Sequence, residues 1–212
     1  MPLLKSALLL TLSLLSLTVS AQTPQTASEF VSRGMQLFAE NKIKQSIQDF
    51  DQAAKLNPQI EPRLWQRGIS HYYAGEFQKG REQFEIHKAV NPHDVENATW
   101  HFICVARHEN LEAAQKALIE IDTSKDLRVP MAEVYELYAG RGSEAAVLAA
   151  TAAAGTEQAK MYAHLYLGLY YEVADKPELA RKHMQLSADA KLQNSYMHRV
   201  AVIHLKQRKW DE

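Results

Sequence analysis

Residues 27–60, ASEFVSRGMQLFAENKIKQSIQDFDQAAKLNPQI, and residues 61–94, EPRLWQRGISHYYAGEFQKGREQFEIHKAVNPHD, decide the fold. With Gly34 laid on Gly68, 34 residues later, Phe30 falls on Leu64, Arg33 on Arg67, Leu37 on His71 and Phe50 on Phe84. Leu56-Asn57-Pro58 likewise falls on Val90-Asn91-Pro92. A fixed period of this length marks a supersecondary unit that cannot bury its apolar face alone and stacks on its neighbours. Each copy reads as two antiparallel helices, with turns at Lys42 to Lys44 and at Gly75-Glu76-Phe77. Gly34 and Gly68 let the second helix approach the first. Phe50 and Phe84 fill the space between repeats, and Pro58 and Pro92 end the second helix, which proline cannot continue.

This punctuation resembles the tetratricopeptide family: a bulky leading residue, a glycine, then an aromatic and a proline at a 34-residue period. The resemblance covers residues 27–94. It implies an all-α, right-handed solenoid whose inner face, built from the first helix of each pair, binds a protein or peptide.

Further on the pattern is degenerate. Asp94 caps a helix expected over Val95–His108, and Asn110 one over Leu111 to about Ile121. Pro130 opens a helix to Tyr138, stopped by Gly140-Arg141-Gly142. Ser143 starts an alanine-rich helix ending at Gly155, and Thr156 caps one carrying Leu167-Gly168 and Tyr170-Tyr171, which recovers the repeat signature. Pro177 starts its partner, through Ala180, Met184 and Ala188. A last helix, about Ser195 to Gln207, has Tyr196, Val200, Ile203 and His204 on one face, with Arg199, Lys206, Arg208 and Lys209 largely off it. That polar side suits a cap at the open end of a solenoid. The expected fold is therefore about five hairpins (27–60, 61–94, 95–128, 129–157, 158–194) plus a cap at 195–208.

The stretch 166–205, YLGLYYEVADKPELARKHMQLSADAKLQNSYMHRVAVIHL, also resembles the end of NlpI-type bacterial envelope lipoproteins, through Tyr166-Leu167-Gly168, Tyr170-Tyr171, Ala180 and Tyr196-x-His198-Arg199. That resemblance implies an adaptor in the bacterial envelope. The chain lacks the lipid-bearing cysteine of that group.

Residues 1–21 have the layout of a cleaved secretory signal: Lys5, an apolar stretch from Ala7 to Leu17, and small residues Val19-Ser20-Ala21 before polar 22–26, a linker. Cleavage is expected after Ala21, leaving a periplasmic or secreted chain with no stable membrane insertion. Among its 212 residues, 24 basic side chains balance 25 acidic ones, which argues against a nucleic-acid partner. Cys104, the single cysteine, lies in an apolar helical run and reads as a small buried hydrophobe.

The departures from the repeat are the functional clue. His71 stands in an apolar slot, His87 where the first repeat has Ala53, and His101 at the level of Arg33 and Arg67. Asn97 and Trp100 share His101's helix. Arg33 has Asp49 to pair with, whereas Gln83 replaces that acid opposite Arg67, leaving Glu82, Glu85 or an anionic ligand. Arg67, His71, His87, Asn97, Trp100 and His101 are therefore expected to form a polar cluster, either a structural hydrogen-bond network or a small-ligand site. His101, Cys104 and His108 lie on one helix face, but three ligands over two turns span about 10 Å, too far for one ion. No metal, cofactor or catalytic residue is assigned: the sequence has no phosphate-binding glycine loop, His-Glu-x-x-His helix or Gly-x-Ser-x-Gly elbow.

The expected peptide-binding concave face comprises Val31, Met35, Phe38, Trp65, Ile69, Tyr72, Tyr73, Ile103 and Arg107, continuing to Leu165, Leu169 and Glu172. The first expectation is a non-enzymatic adaptor for a protein or peptide, able also to pair as a homodimer. The alternative is a polar-ligand or metal-binding protein using Arg67, His71, His87 and His101.

Overall fold

The computed structural model describes residues 24–211, and the expected signal sequence lies outside them. The described residues are all-helical: α1 (Ala27–Ala39), α2 (Ile43–Leu56), α3 (Trp65–Tyr73), α4 (Phe77–His87), α5 (Val95–His108), α6 (Leu111–Lys116), α7 (Met131–Tyr138), α8 (Glu144–Ala154), α9 (Glu157–Val173), α10 (Pro177–Ala188) and α11 (Tyr196–Arg208). Two 3-10 turns, Pro58–Arg63 and Thr123–Lys125, complete them. Eleven α-helices thus follow one another among the described residues. The sixth helix is shorter than expected, stopping at Lys116 rather than Ile121, and the Ile119 carbonyl instead accepts a hydrogen bond from the Tyr135 hydroxyl at 3.2 Å.

Local chemistry explains the helix starts. Thr26 and Glu29 form a reciprocal capping box on α1, and the side chains of Asp94, Asn110, Ser143, Thr156 and Ser195 each accept a first-turn N–H. The turns inside the pairs share one geometry. Asn41, Gly75, Gly140 and Asp175 have φ of 62°, 76°, 74° and 56°, the left-handed region that Gly, Asn and Asp tolerate best. After each comes a backbone N–H reaching back to Leu37, His71, Glu136 and Tyr171 respectively, the six-to-one bond of a Schellman end.

The repeat glycines work within a pair. A Cβ at Gly34 would lie 3.0 Å from the Phe50 ring, and at Gly68 2.7 Å from the Phe84 ring. So Phe50 and Phe84 seat on the glycine of their own pair, where the sequence reading placed them between repeats. Gly168 has the same role against Met184, at 2.9 Å. A Cβ at Gly80 would meet Cys104 Sγ at 2.8 Å, which fits α4 tightly on α5.

Helix α5 is the axis of the molecule. Every residue from Val95 to Val105 is buried, and α5 touches α3, α4, α6, α7 and α9. The last helix does not cap an open end. α11 packs on α9 and α10 and also on α1, bringing the C-terminal helix back to the first. Tyr196 stacks on Phe38 with ring centroids 5.4 Å apart, and Gln207 Nε2 donates to Asn41 Oδ1 at 2.6 Å.

Candidate functional site

The return of α11 decides the fate of the expected groove. Phe38, Ile69, Tyr72, Tyr73 and Ile103 are buried in the core, because α11 and α9 cover the inner face that a peptide was expected to occupy. Val31, Met35 and Trp65 are only partly exposed. Arg107 is exposed, its guanidinium over the Phe77 ring at 5.3 Å.

The expected polar cluster is dispersed. Arg33 pairs with Asp49 through two bonds of 2.6 and 2.7 Å, as expected. Arg67 finds Asp51 (2.7 Å), Glu61 (3.2 Å) and Gln83 (3.0 Å), not Glu82 or Glu85. His71 Nδ1 bonds Glu76 at 2.7 Å, and His101 Nε2 faces Glu85 at 3.3 Å. His87 Nδ1 donates to the Pro62 carbonyl at 2.7 Å, and Asn97 Nδ2 to the Phe84 carbonyl at 3.1 Å. None of these bonds joins two members of the set: each polar side chain ties its helix to a neighbouring turn or helix end. Burial lowers the His71 and His101 pKa values, with Glu76 and Glu85 pulling the other way. Burial raises the Cys104 thiol, so it is not a poised nucleophile. Among the described residues no three His, Cys, Asp or Glu side chains are placed to share an ion.

His87, Asn97 and Trp100 do meet, but around a cavity rather than in a network. It has a volume of about 410 Å³. Trp65 on α3, Phe84 and His87 on α4, and Glu96, Asn97 and Trp100 on α5 form one side. Arg128 from the segment before α7, Tyr162 on α9, and Ser195, Tyr196 and Met197 at the start of α11 form the other. Five aromatic rings therefore line it, with Trp65 edge-on to Tyr196 at 5.1 Å.

Three residues that line the cavity each carry a fully buried polar atom with no hydrogen-bond partner: Asn97 Oδ1, Trp100 Nε1 and the Tyr196 hydroxyl. The Phe84 carbonyl requires the Asn97 NH₂ as its donor, which fixes the amide orientation and leaves Oδ1 as an acceptor. The Pro62 carbonyl fixes the His87 proton on Nδ1 in the same way, so in the neutral ring Nε2 is an acceptor, 3.9 Å from Asp94 Oδ2. Beside them, Arg128 serves three acids. It bonds Glu96, Asp94 and Asp126, and its guanidinium lies over the Tyr162 ring at 5.6 Å. Glu96 also accepts from the Tyr166 hydroxyl at 2.8 Å. Burial pushes the Glu96 carboxyl up to about 7; the Arg128 charge opposes this and Asp94 adds to it.

A second buried polar cluster joins α3, α9 and α11. Glu172 accepts from the Tyr72 hydroxyl at 2.6 Å and pairs with Arg208, while His204 bonds the Tyr73 hydroxyl at 3.1 Å. Burial opposes ionisation of Glu172, but His204, Arg208 and Tyr72 outweigh it and hold the carboxyl down at about 2. Burial pushes His204 down to about 4, so at neutral pH the charge opposite Glu172 is that of Arg208. The sequence reading put Arg208 on the polar side of a cap. Its partner on α9 draws it inward instead.

Sequence reasoning missed Glu96, Arg128, Tyr162 and Tyr196 as site residues. The only local signal was Glu96, an acid in a helix otherwise buried throughout. Arg128 lies in a degenerate stretch where the repeat gives no register. No protein-family model matches the chain.

Proposed function

We propose that this chain is a binding protein without catalytic activity, and that it takes a small polar ligand into the cavity between α3, α5 and the start of α11. One observation carries the reading: a cavity of about 410 Å³ whose thirteen lining residues combine five aromatic rings with the charged and polar side chains of His87, Asp94, Glu96, Asn97 and Arg128. Its volume and mixed lining suit a ligand site. This keeps the kind of function expected as the alternative from the sequence but moves its residues: His87, Asn97 and Trp100 stay, while Arg67, His71 and His101 drop out.

The adaptor reading has one observation of its own. Leu127 is 87% exposed and Val129 42%, an apolar pair flanking Arg128 on the outside of the molecule. Such a patch suits a protein partner. Export and the tetratricopeptide-type solenoid rest on the signal-like N-terminus and the 34-residue repeat.

The test is a thermal-shift screen of polar metabolites against the native chain and Trp100→Phe. A ligand that raises the melting temperature of the native chain, and does so less for the variant, supports the cavity. A screen in which every hit stabilises both equally counts against it.

A further inference from the structure

Away from the cavity, we infer that His164 and His183 form an acid-operated latch at the junction of α8, α9 and α10, which one bound proton leaves closed and a second opens. The two rings meet nitrogen to nitrogen. His164 Nδ1 on α9 lies 2.9 Å from His183 Nδ1 on α10, with ring centroids 5.1 Å apart. A hydrogen bond between two imidazole nitrogens needs one N–H and one lone pair. Two neutral rings supply both, and so does a pair in which one ring is charged. When both rings are charged, each Nδ1 carries a proton and no lone pair is left. The contact then sets two like-charged N–H groups head to head, and the rings part.

The surroundings decide where each proton goes. Glu144 Oε1, on the first residue of α8, lies 3.2 Å from His183 Nε2. Its other oxygen accepts from the Tyr171 hydroxyl, and the Tyr171 ring stacks on His183 with centroids 5.6 Å apart. The first proton therefore belongs on His183, between a carboxylate and the His164 lone pair. Lys160 on α9 and Lys182 on α10 oppose a second positive charge, and Lys176 lies over the Tyr171 ring at 5.6 Å. Burial, then the His183 ring, push His164 down to about 4; burial also lowers His183, while Glu144 pulls it back up. His183 is 1% exposed and His164 only partly buried, so His164 is the ring that turns to water. α9 and α10 stay together. Met184 packs against Gly168, and the Ser187 hydroxyl donates to the Met161 carbonyl at 2.9 Å. Opening reaches α8 instead, which buries only Val147 and whose first residue is held by Tyr171 and His183. The acid form uncovers a charged imidazolium beside that first turn.

The experiment is an NMR titration of the full chain from high to low pH, following the imidazole ring signals of His164 and His183. The pair should titrate in two steps more than about one pH unit apart, the behaviour of interacting sites. The ring N–H shared by the two nitrogens should persist through the first step and vanish with the second. Backbone amide signals should stay dispersed through that second step, with shifts confined to α8 and the facing turns of α9 and α10. In His164→Gln, His183 should titrate in a single step, at higher pH than the second step of the native pair. Glu144→Gln should move the first step to lower pH, because the charge that favours His183 protonation is gone. His183 is buried, so the partly exposed His164→Gln carries the variant test, and the two-step titration of the native chain tests the latch without any substitution. Two independent titrations, with His183 unmoved in His164→Gln, would overturn the latch. So would a shared N–H lost at the first step, or global unfolding that coincides with the second.

Discussion

Two buried glutamates, each beside an arginine and a tyrosine hydroxyl, titrate in opposite directions. Glu96 is pushed up to about 7 and Glu172 down to about 2. Both are buried, so desolvation alone does not separate them. One difference is His204, which lies beside Glu172 and lowers it; another is how the arginine is shared. Arg208 pairs with Glu172 alone, while Arg128 is divided among Glu96, Asp94 and Asp126. The Glu172 cluster ties α11 to α9 and α3. The Glu96 cluster borders the cavity.

The largest expected effect breaks the Glu172 side. Arg208→Ala strands the Glu172 charge in the core and should cost about 3–5 kcal/mol in urea unfolding. A loss under 1 kcal/mol would mean that the pair does not hold α11. Next, Tyr72→Phe removes a hydrogen bond to a charged acceptor and should cost about 1.5–3 kcal/mol. Stability against pH should then show the two glutamates with opposite signs. Glu172, with its folded pKa lowered from 4.5 to about 2, contributes fully above pH 4.5, and that stability is lost as pH falls towards 2. Glu96, raised from 4.5 to about 7, favours the folded state while protonated, so stability present below 4.5 is lost as pH rises through 7. Each swing is on the order of 1–3 kcal/mol. Glu172→Gln should flatten the acid limb and Glu96→Gln the neutral one. Unchanged pH profiles in both variants would remove the contrast. The last effect differs in sign: Tyr196→Phe deletes a buried hydroxyl that has no protein partner, so it should not destabilise the native chain in urea unfolding. Tyr196→Phe as costly as Tyr72→Phe would show that the two hydroxyls are held alike.

Much of the secondary structure was legible because its causes are short-range. Side-chain caps at Asp94, Asn110, Ser143, Thr156 and Ser195 act within three residues, and each starts the helix that it was expected to start. Gly34 and Gly68 were legible as points of close approach. The site was less so. His87, Asn97 and Trp100 stood out as exceptions to the repeat, and all three line the cavity. His71 and His101 stood out equally, yet they serve turns and helix ends, because a polar residue in an apolar slot does not say whether its partner is Glu76, a carbonyl or a ligand.

The sequence by itself determined an all-helical chain, through period, caps and turn residues that act over a few positions. Tertiary structure alone decided that the final helix comes back to the first. Tyr73 bonds His204 and Tyr72 bonds Glu172 across 131 and 100 residues, contacts that no local pattern encodes. That return buries the groove which the repeat led one to expect. It also brings Tyr196 across from Trp65 and Trp100, so the cavity exists only once the two ends of the chain have met.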